Sequence, residues 1–96
     1  MKIQSSNHRF SKSPGVASSV HDQGIVLLHT ASGQMFTSNL IGARIWRGLE
    51  ERLSVELIVN KICSEYPIDL ATARKHVARF LLELERQKLI KEESRQ

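Results

Sequence analysis

The spacing of apolar residues changes once along this chain, at about Asn39, and no other feature constrains the fold as strongly. Before that point apolar residues stand in short runs and alternations separated by turn residues. After it they recur every three or four positions. A small sheet followed by a helical layer satisfies both patterns. Upstream, residues 16–20 read as a first strand and Asp22-Gln23-Gly24 as a turn. The run Ile25-Val26-Leu27-Leu28-His29 is aliphatic and β-branched, as a central strand requires. Ala31-Ser32-Gly33 makes a second turn, and Gln34-Met35-Phe36-Thr37-Ser38 a third strand. Turns this short give an antiparallel meander.

Downstream, Asn39 is a good N-cap, and Ile41, Ile45, Trp46, Leu49 and Leu53 predict a helix over 40–52. Ser54 caps a second helix with Val55, Ile58, Ile62 and Cys63 on its inner face, and Glu56 is well placed in its first turn. Tyr66-Pro67 stops that helix, because a residue before proline avoids the helical region. Asp69 caps a third helix over 70–87, whose main face is Ala73, Val77, Phe80, Leu81 and Leu84. Leu89-Ile90 forms a last short strand or packs as an extended tail. The expected fold class is therefore α+β and winged helix-turn-helix-like, a three-stranded antiparallel sheet followed by three helices. Its expected divisions are a flexible tail over 1–15, one domain over 16–91 and a frayed C-terminus over 92–96.

Ninety-six residues suffice for one modest core, and 41% hydrophobic with 25% charged residues is ordinary for a globular domain. The longest unbroken apolar run, Ile25-Val26-Leu27-Leu28, is far too short to cross a bilayer. No signal peptide is visible, so the expected compartment is the cytoplasm. A single cysteine, Cys63, excludes an internal disulfide and a Cys-rich zinc site. His8, His21, His29 and His76 lack metal-ligand spacing, and no nucleophile elbow or phosphate-cradling glycine loop occurs. No acid, base and nucleophile can be assembled, so neither catalysis nor a cofactor is expected. The net charge of +4 belongs to the N-terminal half: from Leu49 onward nine basic residues face nine acidic ones.

The third strand of such a meander keeps an open edge. Met35 and Thr37 share one of its faces, and Gln34, Phe36 and Ser38 the other, with Phe36 expected inward because aromatic burial contributes more. The third helix carries a second stripe, Ala71, Lys75, Ala78 and Leu82, beside its core face. Leu82 and Ala78 suit the wall of a groove, and Lys75 and Arg79, with Arg74 nearby, suit an acidic guest. The plainer reading is a wide core stripe beside a solvated charged face. Gly42 inside a helix points to tight helix–strand packing, and Trp46 is expected in the core with its N–H on a backbone carbonyl. A DNA-binding transcriptional regulator is the alternative, because Arg74, Lys75 and Arg79 lie where a recognition helix would touch bases. The balanced charge of the C-terminal half argues against it.

Several of these segments, in order, resemble the PqqD-like family, the RiPP recognition elements. They are Gly24-Ile25-Val26-Leu27-Leu28, Ser32-Gly33-Gln34-Met35-Phe36, Asn39-x-x-Gly42-x-x-Ile45-Trp46, Ser54-Val55-Glu56 with Ile58 and Tyr66, and Val77, Phe80-Leu81, Leu84 and Leu89-Ile90. The resemblance runs from about Gly24 to Ile90. Three positions depart from the family pattern: His29 replaces an aspartate or similar residue, Glu50-Glu51-Arg52 lacks the usual glycine after the first helix, and Lys88 replaces a glycine. The resemblance implies a non-catalytic protein that binds the leader of a ribosomally made precursor peptide. It would present that leader to a modifying enzyme, such as a radical SAM protein, in the biosynthesis of pyrroloquinoline quinone or another such product. The leader would add as a strand to Gln34, Met35, Phe36, Thr37 and Ser38, against the third helix, with Lys75, Ala78, Arg79 and Leu82 giving selectivity. A homodimer paired through the same edges stays open.

Overall fold

The computed structural model describes residues 9–93. Its elements are β1 (Phe10–Lys12), β2 (Val16–His21), β3 (Gly24–His29), β4 (Gln34–Ser38), α1 (Leu40–Glu50), α2 (Val55–Glu65), α3 (Leu70–Arg86) and β5 (Ile90–Glu92). Strands β2, β3 and β4 form the antiparallel meander in that order, with Val16 opposite His29 and Ile25 opposite Ser38. The first strand read from the sequence is thus β2, and the third is β4. All three helices follow, as the change of period requires.

Each helix starts where a capping side chain meets an apolar stripe. Asn39 Oδ1 accepts from the Gly42 N–H at 3.0 Å, Ser54 Oγ from Leu57 at 3.3 Å and Asp69 Oδ1 from Thr72 at 2.8 Å. Hydrogen bonds from Thr72 hold the Asp69 carboxyl below the usual carboxylate range. The stripes meet over one face of the sheet: Ile25 and Leu27 from β3, Ile45 and Trp46 from α1, Ile58 and Ile62 from α2, and Val77 and Leu81 from α3 are all buried. Trp46 lies in this core, yet its indole N–H has no acceptor among the described residues, against the carbonyl expected from sequence.

Two expectations need correction. Residues 1–8 lie outside the described residues, but the rest of the expected tail contains β1, which pairs antiparallel with β5 in a separate two-stranded sheet. Phe10 explains why: its ring is 1% exposed and belongs to the main core. Nor are residues 92 and 93 frayed, as the expected division over 92–96 had them. Glu92 ends β5, the Glu93 N–H donates to the Arg9 carbonyl at 2.9 Å, and the Glu93 carboxylate meets Arg52 at 2.6 Å. Residues 94–96 lie outside the described residues.

The two missing glycines also find their explanation here. Arg52 and Lys88 both have left-handed backbones, with φ of 63° and 62°. Each follows the C-cap of a helix in the same double-bonded turn. Arg52 N–H bonds the Leu49 carbonyl while Leu53 N–H bonds that of Gly48, and Lys88 N–H bonds Glu85 while Leu89 N–H bonds Leu84. These are Schellman motifs, a geometry that glycine adopts without strain. The turn forms without glycine because Leu89, buried just beyond, anchors the second one, and the Arg52–Glu93 ion pair ties down the first.

Two stability measurements check this account. Phe10→Ala should lower the unfolding free energy in urea by about 3 kcal/mol, far more than removing a ring from a loose tail. Lys88→Gly should raise it by about 0.5 kcal/mol, because relief of the left-handed strain outweighs the added freedom of the unfolded chain.

Candidate binding groove

The hydrogen-bond alternation of an antiparallel sheet decides what β4 leaves open. The Thr30 N–H donates to the Gly15 carbonyl at 2.8 Å, and the two-residue turn Asp22-Gln23 closes on the pair His21 and Gly24. Even-numbered residues of β3 therefore direct their backbone groups to β2, and Ile25, Leu27 and His29 direct theirs to β4. Their partners on β4 are Ser38, Phe36 and Gln34. Met35 and Thr37 consequently turn their N–H and C=O groups outward, toward an edge that no strand occupies among the described residues.

The side chains divide the same way. Phe36 and Ser38 are half-buried and face the helices, whereas Met35 is 62% exposed and Thr37 is exposed. Phe36 points inward, as aromatic burial favours. It packs against Phe80 of α3 at 5.9 Å between ring centroids, with the planes tilted by 58°.

Alongside this edge runs a groove of about 360 Å³. Its β4 wall is Phe36 and Ser38, its base Ile41, Gly42 and Ile45 from the start of α1, and its far wall His76, Arg79, Phe80 and Glu83 from α3. Gly42 makes the depth. A Cβ placed there would lie 2.6 Å from Ser38 Cβ and 3.0 Å from Phe80 Cε1, so any side chain would displace both walls. One end is tied by a chain of amides: Gln34 Nε2 donates to Gln87 Oε1, and Gln87 Nε2 donates to Glu83 Oε2 at 2.7 Å.

Of the residues singled out from sequence, Phe36, Ser38 and Arg79 line this groove, while Met35 and Thr37 form its open backbone edge. Gln34 ties its end. Lys75, Ala78 and Leu82 are not among its lining residues. Lys75 and Leu82 are exposed, lying across the helix from the core positions Ala73, Val77 and Leu84. The row facing β4 is instead His76, Arg79, Phe80 and Glu83, one helical position round. Sequence reasoning placed Phe80 in the core and passed over His76 and Glu83. The signal was the Gly42 position, which names the side of the sheet where helices come closest.

Several other features show what this groove is not accompanied by. Among the described residues no three His, Cys, Asp or Glu side chains converge as a metal site, and no helix is long and apolar enough to cross a membrane. Cys63 is half-buried against the core.

Comparison with known proteins finds both a family and solved structures of the same fold. The family model described as coenzyme PQQ synthesis protein D (PqqD) matches residues 24–90. A solved structure of TbiB1 in complex with the TbiA(beta) leader peptide superposes with a TM-score of 0.79 at 35% identity, covering 88% of this chain and 99% of the other. The lasso peptide synthetase B1 complexed with the leader peptide superposes with a TM-score of 0.76 at 25% identity, covering 86% and 98%. No curated protein matches the chain.

Gly42→Ala should therefore do two things at once. It should lower stability by about 2 kcal/mol through overpacking, and it should shift the side-chain NMR signals of Phe36 and Phe80 while leaving those of Phe10 in place.

Proposed function

The chain belongs to the PqqD family, and from that premise we propose that it captures the leader of a precursor peptide by strand addition to β4 and presents it to a modifying enzyme. The observation that carries this reading is the coincidence of two features at one edge. Met35 and Thr37 offer backbone donors and acceptors that no strand pairs among the described residues, and the groove beside them is lined by Phe36, Phe80, Ile41 and Ile45. Backbone bonds give affinity without regard to sequence, and the pockets give choice among side chains. Both related structures are complexes with a leader peptide, which supports the same reading. Because Met35 is exposed and unbranched, it can fold over different guests. Lys75, Ala78 and Leu82 belong to this proposal as an outer rim, beyond the groove wall.

The protein's part is binding alone, with the chemistry supplied by the enzyme it serves. A radical SAM protein or another peptide-modifying catalyst fits that role equally, in the cytoplasm where precursor peptides are made. A second copy pairing through β4 would compete with the leader, so peptide should dissociate such a dimer. DNA binding is not favoured. Arg74 is engaged with Glu56 at 2.8 Å, and α3 carries Glu83 and Glu85 among its cations, so no continuous basic stripe forms.

Thr37→Pro tests the register. The Thr37 N–H faces the open edge and makes no bond to β3, so an edge proline leaves the fold standing. The variant should bind a leader peptide about tenfold more weakly by calorimetry, the loss of one backbone bond plus a clash with the incoming strand. Undiminished affinity in a folded variant would count against strand addition at β4.

A further inference from the structure

We propose that the groove selects its guest by charge along its length, taking a peptide with an acidic side chain two residues from a large apolar one. This rests on strand addition to β4 and adds the chemical class of the guest. Helix α3 runs antiparallel to β4: Gln87 meets Gln34 at one end, and Phe80 meets Phe36 in the middle. The α3 residues of the wall that precede Phe80, His76 and Arg79, therefore lie toward Ser38, and Glu83 lies toward Gln34. The two ends differ in charge. Toward Ser38, Arg79 is exposed and has no carboxylate partner among the described residues. Toward Gln34, the carboxylate of Glu83 is already held by Gln87 at 2.7 Å and Arg86 at 3.7 Å. A guest carboxylate is attracted to the first end and repelled from the second.

The spacing follows from strand geometry. Side chains of an added strand face the groove at every second residue, about 7 Å apart. His76 lies four residues, roughly 6 Å along the helix axis, from Phe80. Helical side chains lean toward the helix N-terminus, and the longer side chain of Arg79 reaches farther that way, toward His76, than the Phe80 ring does. A guest residue seated on the Phe36–Phe80 pair thus places the next groove-facing residue beneath Arg79. The same gradient fixes the direction in which the guest runs, because reversal would set its carboxylate against Glu83.

The test is selection from a randomised library of displayed linear peptides, run in parallel on the full chain and on its Arg79→Glu variant. Arg79 is exposed, so the variant keeps the fold, which its thermal melt checks. The wild type should enrich Asp or Glu two residues from a large apolar residue. The variant should enrich Lys or Arg at that same position. Against a wild-type-selected peptide, Arg79→Glu should weaken binding on the order of fivefold, and exchanging the peptide's acid for lysine should restore it. Enriched peptides that shift the Met35 and Thr37 amides but carry no charge preference would overturn the charge selection and leave strand addition intact. Enriched peptides that leave those amides unmoved would overturn both, as would a failure of the wild type to enrich any peptide.

Discussion

Helix α1 approaches β4 at Gly42 closely enough that a single methyl group there would overlap Ser38 and press on the ring of Phe80. The rest of the molecule is arranged about that contact. It sets the depth at which α1 lies under the sheet edge, and it lets Phe80 reach Phe36. A glycine in a helix interior costs roughly 1 kcal/mol relative to alanine. Here that loss is offset by packing that no other residue permits. Asn39, capping the same helix through the Gly42 N–H, fixes where along the strand the approach occurs.

The sheet ends in two free edges among the described residues, at β2 and β4, and they are not equivalent. Beyond β4 stands the wall of α3, so an added strand gains side-chain contacts as well as backbone bonds. On β2, every residue but Val16 is exposed, and Val20 borders a recess of about 370 Å³ whose other lining includes Leu40 and Arg47 of α1. An edge is a general invitation to pairing, and what surrounds it determines the guest. Ladder alternation sharpens the point. On β4 the residues that offer their backbone, Met35 and Thr37, also turn their side chains to solvent, leaving Phe36 and Ser38 to form the groove's β4 wall.

Most of the architecture was legible because it rests on local signals. The change from runs to helical spacing at Asn39 located the sheet and the helices, and the caps Asn39, Ser54 and Asp69 located the helix starts. The strand's alternation left its buried face open, and the weight of aromatic burial favoured Phe36 inward. What escaped was whatever depends on distant partners. Phe10 sits among polar residues and gives no period, so its burial with β5 could not be read locally. The groove-facing row of α3 lies one position round from the stripe chosen, since spacing alone cannot say on which side of a helix the sheet edge will come. Left-handed Arg52 and Lys88 look like departures in sequence and are conventional helix ends in space.

The small β1–β5 sheet has a consequence for architecture beyond this chain. The bond between Glu93 and Arg9 brings the two limits of the described fold to a single ladder rung. Two strands side by side lie about 5 Å apart, so polypeptide leaving in both directions departs from almost one point. A unit closed in this way can be spliced into a surface loop of a larger protein with little distortion of either partner. Closure at β1 and β5 also keeps both chain limits away from β4, so its edge would stay equally accessible in a free-standing unit and in an insert.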